Sequence, residues 1–455
     1  MPERIHDFLR IVEDQIRWTR ARAPLTTELR THLLEQYDDC RSQGLNEEAA
    51  LEETLRQMGD PVALGQELDR IHRPKPQWGL LCLTGGLVLT GSILRLWLLS
   101  STEAFLVFNR PFHTVLAGIL GFAVMLVVYF LDYGLLAHHA RLIYGVTLLA
   151  GILSLIVSPN VMGVSYYTRY IVLCFPVVYA LWVYSLRGTG VGGVLLAVAG
   201  GIPFAAIACV TPYMLGLLIL LVSGFAILLS SILSGAFRVH RGIAAGILSA
   251  SAAAAVIGLG WAVRPALLSR FTAALHPEAD PLGRGYQSLV LREALSASQL
   301  WGQGSFTGAR SGCDYWYVVP AADSDCFLTT IIFQLGWVPF LLLCGALLAL
   351  LLWTLTKALR QKNTLGRLLA TAILLTLGIQ FLASVLLNLG FVFTGATCPF
   401  LVGNLHTVLD MGLMGLLLSV FRQEYLPASP NVGAGGTLHF KLPRYAISLS
   451  VQRVK

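Results

Sequence analysis

From Trp78 to Phe421 the chain alternates between long apolar runs and short polar connections. The runs fall near 78–99, 113–131, 142–158, 170–186, 189–209, 212–234, 242–263, 326–355, 367–389 and 401–421. Most are long enough for a helix of about 20 residues, which crosses roughly 30 Å of hydrocarbon. Breaks at Arg187-Gly188 and near Thr211-Pro212 separate neighbouring runs. The pattern predicts an all-α, polytopic membrane protein of about ten spans over 75–423.

Residues 1–74 follow a different rule. Ile5, Leu9, Val12 and Ile16 recur at helical spacing, as do Leu29, Leu33 and Tyr37, among many charges. Gly44 reads as a helix stop, and Asn46 before Glu47 and Glu48 as the cap of the next helix, with acids at its positive end. Gly59-Asp60-Pro61 repeats the device: a stop glycine, a capping acid and proline at the first helical position. A small cytosolic helical bundle is expected. Residues 424–455, with Pro427, Pro430, Pro443 and a glycine-rich stretch, read as a loosely ordered cytosolic tail.

Composition agrees with the pattern. The 455 residues are 55% hydrophobic and 13% charged, about half the usual charged share of a soluble domain. The formal charge of +7 calls for no nucleic acid. Arg141, Arg187, Arg238, Arg241, Lys357, Arg360, Lys362 and Arg367 all fall on connections of one side, and the positive-inside rule makes that side cytoplasmic, together with both termini. Membrane lipid is then the natural counterpart of these charges. Arg95 is expected to snorkel to the outer interface in a structural role. The eight cysteines show no zinc spacing. Cys313, Cys326 and Cys398 would lie outside the membrane, where a disulfide between two of them is open.

One connection, 264–325, is far longer than the rest, as functional loops often are. Its many aromatic and aliphatic residues argue for a folded segment, with Ser288–Leu300 as an amphipathic surface helix. At its end the polar stretch from Cys313 to Tyr317 leads to Asp323 and Asp325, immediately before an apolar run. An ionised acid costs roughly 2.5–3.5 kcal/mol at a helix centre in the bilayer, so acids near hydrocarbon tend to sit in wet, functional sites. An acid resting in the headgroup layer is the plainer alternative.

Ordered motifs give this region a likeness. Arg270-Phe271, Pro277-Glu278-Ala279-Asp280-Pro281-Leu282-Gly283, Gly285-Tyr286-Gln287, Gly302-Gln303-Gly304 and Gln334-Leu335-Gly336 occur in the order found in the FtsW/RodA/SpoVE family. Pro320 to Phe327 resembles that family's P-E-A-H-T-D-F-I-F motif, and Gln380, Thr394-Gly395, Pro399-Phe400 and Gly415 to Ser419 resemble its last helices. The likeness covers roughly 264–421. The 1–74 segment separately resembles the helical prefix domain of bacterial permease-like proteins, which suggests docking or regulation.

The family resemblance implies a peptidoglycan glycosyltransferase that polymerises lipid II at the outer membrane face. Asp325 falls on the catalytic aspartate, as general base or as ligand of a divalent cation (Mg or Mn). Substrate contacts are implied for Arg270, Arg284, Gln287, Arg292, Arg310, Asp323 and Gln380. Implied partners are lipid II, the undecaprenyl-diphosphate-linked glycan and a class B penicillin-binding transpeptidase. The departures are specific: Asp323 replaces the motif histidine, Ala321 its glutamate, and Asp410 a common asparagine. Asp410 is open to two readings, a functional acid or a buried polar partner. Such changes keep two alternatives in view: a non-catalytic scaffold of a cell-wall complex, and a transporter of lipid-linked precursor.

Overall fold

Caps and stops punctuate the first 72 residues as expected. The helices are α1 (Glu3–Gln15), α2 (Thr19–Ser42), α3 (Glu47–Met58) and α4 (Pro61–His72). Asn46 accepts a hydrogen bond from the Ala49 amide at 2.8 Å, and Asp60 accepts from Val62 and Ala63. Ile5, Leu9, Val12 and Ile16 close a core with Leu25, Leu33 and Leu68. The computed structural model describes residues 3–74, 76–100, 111–161, 164–307, 311–402, 404–423, 438–442 and 445–449. It divides into two units, Met1–Pro76 with Arg422–Lys455, and Gln77–Phe421. In the tail, Leu438–Leu442 pairs antiparallel with Tyr445–Leu449. This hairpin replaces the loose order expected there; Leu438–Leu442 alternates apolar and polar residues with period two, which suits a strand.

The second unit holds α5 (Trp78–Ser100), α6 (Pro111–Phe130), α7 (Tyr133–His138), α8 (Ala140–Val157), α9 (Thr168–Ser185), α10 (Val191–Val210), α11 (Met214–Leu233) and α12 (Arg241–Leu275). After a 3-10 turn come α13 (Tyr286–Ser296), α14 (Tyr315–Val318), α15 (Phe327–Leu335), α16 (Trp337–Leu359), α17 (Thr364–Asn388) and α18 (Leu405–Arg422). Among the described residues, ten helices are long and apolar enough to cross a membrane. Large apolar side chains such as Ile156 and Val157 stay exposed, which suits a lipid-facing surface. The inner packing is centred on α9, which contacts α8, α11 and α17. Phe175 of α9 stacks on Phe204 of α10 with ring centres 4.3 Å apart.

Two boundaries differ from the sequence expectation. The run 326–355 is two helices, not one. Gly336 breaks it at φ +104°, and a Cβ there would lie 2.6 Å from the Leu300 carbonyl oxygen. The 299–304 segment docks against the break, Gly302 donating to the Leu335 carbonyl and Trp337 to that of Gln299. The nine-residue α15 is buried and leads into α16, which is long enough to span. Second, α12 continues to Leu275, so the long connection begins later than 264. The end of an apolar run limits the membrane-compatible part of a helix, not the helix itself.

Close approach also fixes α5. A Cβ on Gly91 would lie 2.5 Å from the Leu401 carbonyl oxygen, so α5 meets the 389–404 segment backbone to backbone. Gly91→Leu is expected to cost about 1–3 kcal/mol by overpacking. A lowered midpoint in thermal unfolding of the detergent-solubilised protein, against an unchanged Gly86→Leu control where the added carbon meets nothing, checks it.

Candidate functional site

The 321–326 turn is built from backbone outward. Ala321 lies in the left-handed region at φ +53°, and its carbonyl accepts the amides of Ser324 and Cys326, each at 3.0 Å. A non-glycine residue in that region is strained and persists only where its surroundings fix it. Here Thr330 of α15 donates to the Ala322 carbonyl at 2.7 Å, and Tyr315 stacks on Phe333 beside it.

The turn carries the two acids into different environments. Arg95, near the end of α5, donates through Nη2 to Asp323 Oδ2 at 2.8 Å and through Nε to the Asp323 carbonyl at 3.0 Å. It also donates to Thr114 of α6. Arg95 therefore does not snorkel, because a partner 228 residues away neutralises it within the fold. The same ion pair relieves repulsion between the acids and turns Asp323 toward Arg95 rather than leaving it free for a substrate.

Asp325 is half-buried and has no cationic hydrogen-bond partner among the described residues. Its Oδ1 accepts from the Thr397 hydroxyl at 2.7 Å. Its backbone carbonyl accepts from Asn388 Nδ2 at 2.9 Å, while Asn388 Oδ1 accepts from the Thr329 amide at 2.8 Å. One buried asparagine at the end of α17 thus ties the turn to the first turn of α15. Arg169, at the start of α9, lies within electrostatic reach of Asp325. Its guanidinium carbon lies 4.8 and 4.9 Å from the ring centres of Tyr166 and Tyr170, which meet each other edge to face, and it donates to the Tyr170 hydroxyl at 2.9 Å. Burial first, and the nearby Asp325 charge second, push the Tyr213 hydroxyl up, so it stays protonated.

The other expected site residues divide into groups. Gln287 of α13 donates to the Cys326 sulfur at 3.2 Å, next to Asp325. Burial pushes that thiol up to about 12, which leaves it neutral. Arg270 and Arg284 sit within electrostatic reach of each other, Arg284 being exposed. Arg292 is committed elsewhere: it donates to the Ala274 carbonyl at 2.7 Å and packs over Phe391. Arg292 thus braces α12 against the segment after α17. Gln380 has a different setting. It is 2% exposed, inside the bundle, where its amide and the Phe400 N–H face the buried Asp410 carboxyl without closing to hydrogen-bond geometry. Asp410 accordingly takes its place as a buried polar residue. Arg310 lies outside the described residues. All eight cysteines are free.

Sequence reading missed Arg169 and Thr397. Arg169 stands alone amid tyrosines, far along the chain from Asp325. The tyrosines that flank it, Tyr166 and Tyr167 before and Tyr170 after, are the signal, since aromatic rings can hold a guanidinium near a helix start.

Among the described residues no group of three or more His, Cys, Asp or Glu side chains gathers to hold a metal ion. Asp325 offers a single carboxylate with one oxygen already bonded. That donor set fits a hard cation of the magnesium kind held mostly by phosphate and water, not an all-protein cage. An apolar cavity of about 760 Å³ lined by α9 to α12 shares none of these residues.

Residues 191–426, just over half the chain, match the FtsW/RodA/SpoVE cell cycle protein family. The probable peptidoglycan glycosyltransferase FtsW of Trichlorobacter lovleyi is 28% identical over 155 residues, covering 34% of this chain and 40% of that one. Stage V sporulation protein E of Bacillus subtilis is 30% identical over 165 residues, covering 35% and 43%. The matched segment thus spans about two-fifths of the length of these curated relatives. A chain of a peptidoglycan synthase complex that coordinates polymerization and crosslinking is 20% identical, with a TM-score of 0.59, over 77% of this chain and 99% of that chain. That likeness shows the fold.

Proposed function

Because the chain belongs to the FtsW/RodA/SpoVE family of cell cycle proteins, we propose that it polymerises lipid II into glycan strands at the outer face of the cytoplasmic membrane. The observation that carries this reading is the half-buried Asp325, fixed by Thr397 and Asn388 and within electrostatic reach of Arg169.

The chemistry asks for what these residues offer. An acceptor hydroxyl oxygen attacks the anomeric carbon of a lipid-linked donor. The bond from that carbon to the diphosphate breaks, and undecaprenyl diphosphate leaves with the electron pair. The acceptor's proton goes to Asp325 as the new C–O bond forms, and from there to water. Help of this kind is typically worth about 10²–10⁴-fold. Arg169, packed against two tyrosine rings and bonded to one of their hydroxyls, keeps further guanidinium donors for a phosphate oxygen. Arg270 and Arg284, within electrostatic reach of each other, are further candidates to attract the diphosphate. A divalent cation held by Asp325 together with the diphosphate would supply further neutralisation of the leaving group.

Orientation belongs to the same proposal. The basic connections at Arg187, Arg238, Lys357 and Arg367 lie at the ends of the spans away from the Asp325 turn, and the positive-inside rule supports a reading with both termini in the cytoplasm. The prefix bundle then serves as a cytosolic docking module, and a class B penicillin-binding transpeptidase is the partner that cross-links the nascent strand. The test is purified protein given labelled lipid II, with and without that transpeptidase. Strands are expected from the wild type. An inert wild type in both conditions overturns the reading and favours a scaffold, while movement of lipid II across vesicles without polymer favours a transporter.

A further inference from the structure

The two oxygens of Asp325 are treated differently by one short segment. Thr397, 6% exposed, donates its hydroxyl proton to Oδ1 at 2.7 Å. Two residues earlier, Gly395 faces Oδ2: a Cβ there would lie 3.0 Å from that oxygen and meet no other atom within 4 Å. Among the described residues Oδ2 accepts no hydrogen bond. We infer that Thr397 and Gly395 are positioning residues that decide which Asp325 oxygen takes the acceptor's proton: Thr397 occupies Oδ1, and Gly395 keeps the approach to Oδ2 open. The inference rests on the proposed role of Asp325 and adds the means by which its side chain is aimed.

The physical case is one of torsion. A half-buried carboxylate rotates about its last single bond with a broad, roughly two-fold preference. One hydrogen bond to a fixed hydroxyl removes that freedom, so Oδ2 holds one direction, toward Gly395. The segment bearing Thr397 is itself held, because Phe400 sits at φ +67° and Leu401 is pressed on Gly91. Asn388 fixes the Asp325 backbone independently, so losing the Thr397 bond frees the side chain without releasing the turn. Misplacement of a reacting group by about 1 Å can cost on the order of 10²-fold.

Three variants test this: Thr397→Val, Thr397→Ser and Gly395→Ala, each compared with wild type for thermal unfolding and for lipid II polymerisation. Thr397→Val is expected to lower kcat by about 10–100-fold with KM for lipid II little changed, and Thr397→Ser to restore most of it. Gly395→Ala is expected to lower kcat as well, with its unfolding midpoint held. A second readout does not require turnover. Infrared difference spectra of wild type against Asp325→Asn isolate the Asp325 carboxylate bands, which Thr397→Val is expected to shift and Thr397→Ser to leave in place. Unshifted bands, or a Thr397→Val enzyme with full kcat, overturn the inference. An inert wild type with shifted bands instead overturns the polymerase reading and leaves the contact established.

Discussion

Asp325→Asn is expected to reduce lipid II polymerisation by at least about 10²-fold while leaving the protein folded. The amide keeps the size of the carboxylate, and its oxygen still accepts from Thr397. What disappears is a group able to take a proton, and removal of a positioned base typically costs about 10²–10⁴-fold. Because the backbone carbonyl of residue 325 still accepts from Asn388, the turn should persist and the thermal midpoint should hold. The loss should fall on kcat, since the proton moves only as the transition state forms. A variant that polymerises at the wild-type rate removes Asp325 from the chemistry.

Arg95→Met is expected to damage both stability and activity, for a different reason. The arginine side chain is 9% exposed and its partner Asp323 24% exposed. Deleting one member of a buried ion pair leaves an uncompensated charge, which costs about 3–5 kcal/mol where burial is complete. With Asp323 partly wet, the lower end, about 3 kcal/mol, is the better expectation. The damage should spread to Asp325 two residues away, because Arg95 also holds the turn through the Asp323 carbonyl. Adding Asp323→Asn to Arg95→Met removes the stranded charge and should recover part of the stability. A double-mutant cycle measures that coupling. Strictly additive losses show that the pair does not hold the turn.

The sequence and the structure agree where one physical rule dominates. Hydrocarbon thickness sets the length of most apolar runs, so the spans other than 326–355 were legible to within a few residues. Helix ends without tertiary partners, such as those at Asn46 and Asp60, were legible from capping chemistry alone. Gly336 was not, since a glycine inside a continuous apolar run gives no local sign that Leu300 approaches its Cα. Asp325 was legible through its ordered motif. The partners that define its environment were not: Asn388 and Arg169 come from distant helices and Thr397 from the segment between α17 and α18, and no spacing rule links them. The surroundings of Arg292 and Gln380 were hidden for the reverse reason. Their residue types suit phosphate and sugar, but burial against Ala274 and Asp410 decides their use.

The most direct measurement places lipid II in one leaflet at a time. Vesicles containing the protein can be sorted by whether protease added outside reaches the 1–74 bundle, and labelled lipid II can then be loaded into a single leaflet. Strands are expected only when lipid II occupies the leaflet opposite the bundle, and none from Asp325→Asn in either arrangement. Strands formed from the leaflet on the bundle's own side, or formed equally well without the Asp325 carboxylate, contradict an outward-facing aspartate as the base.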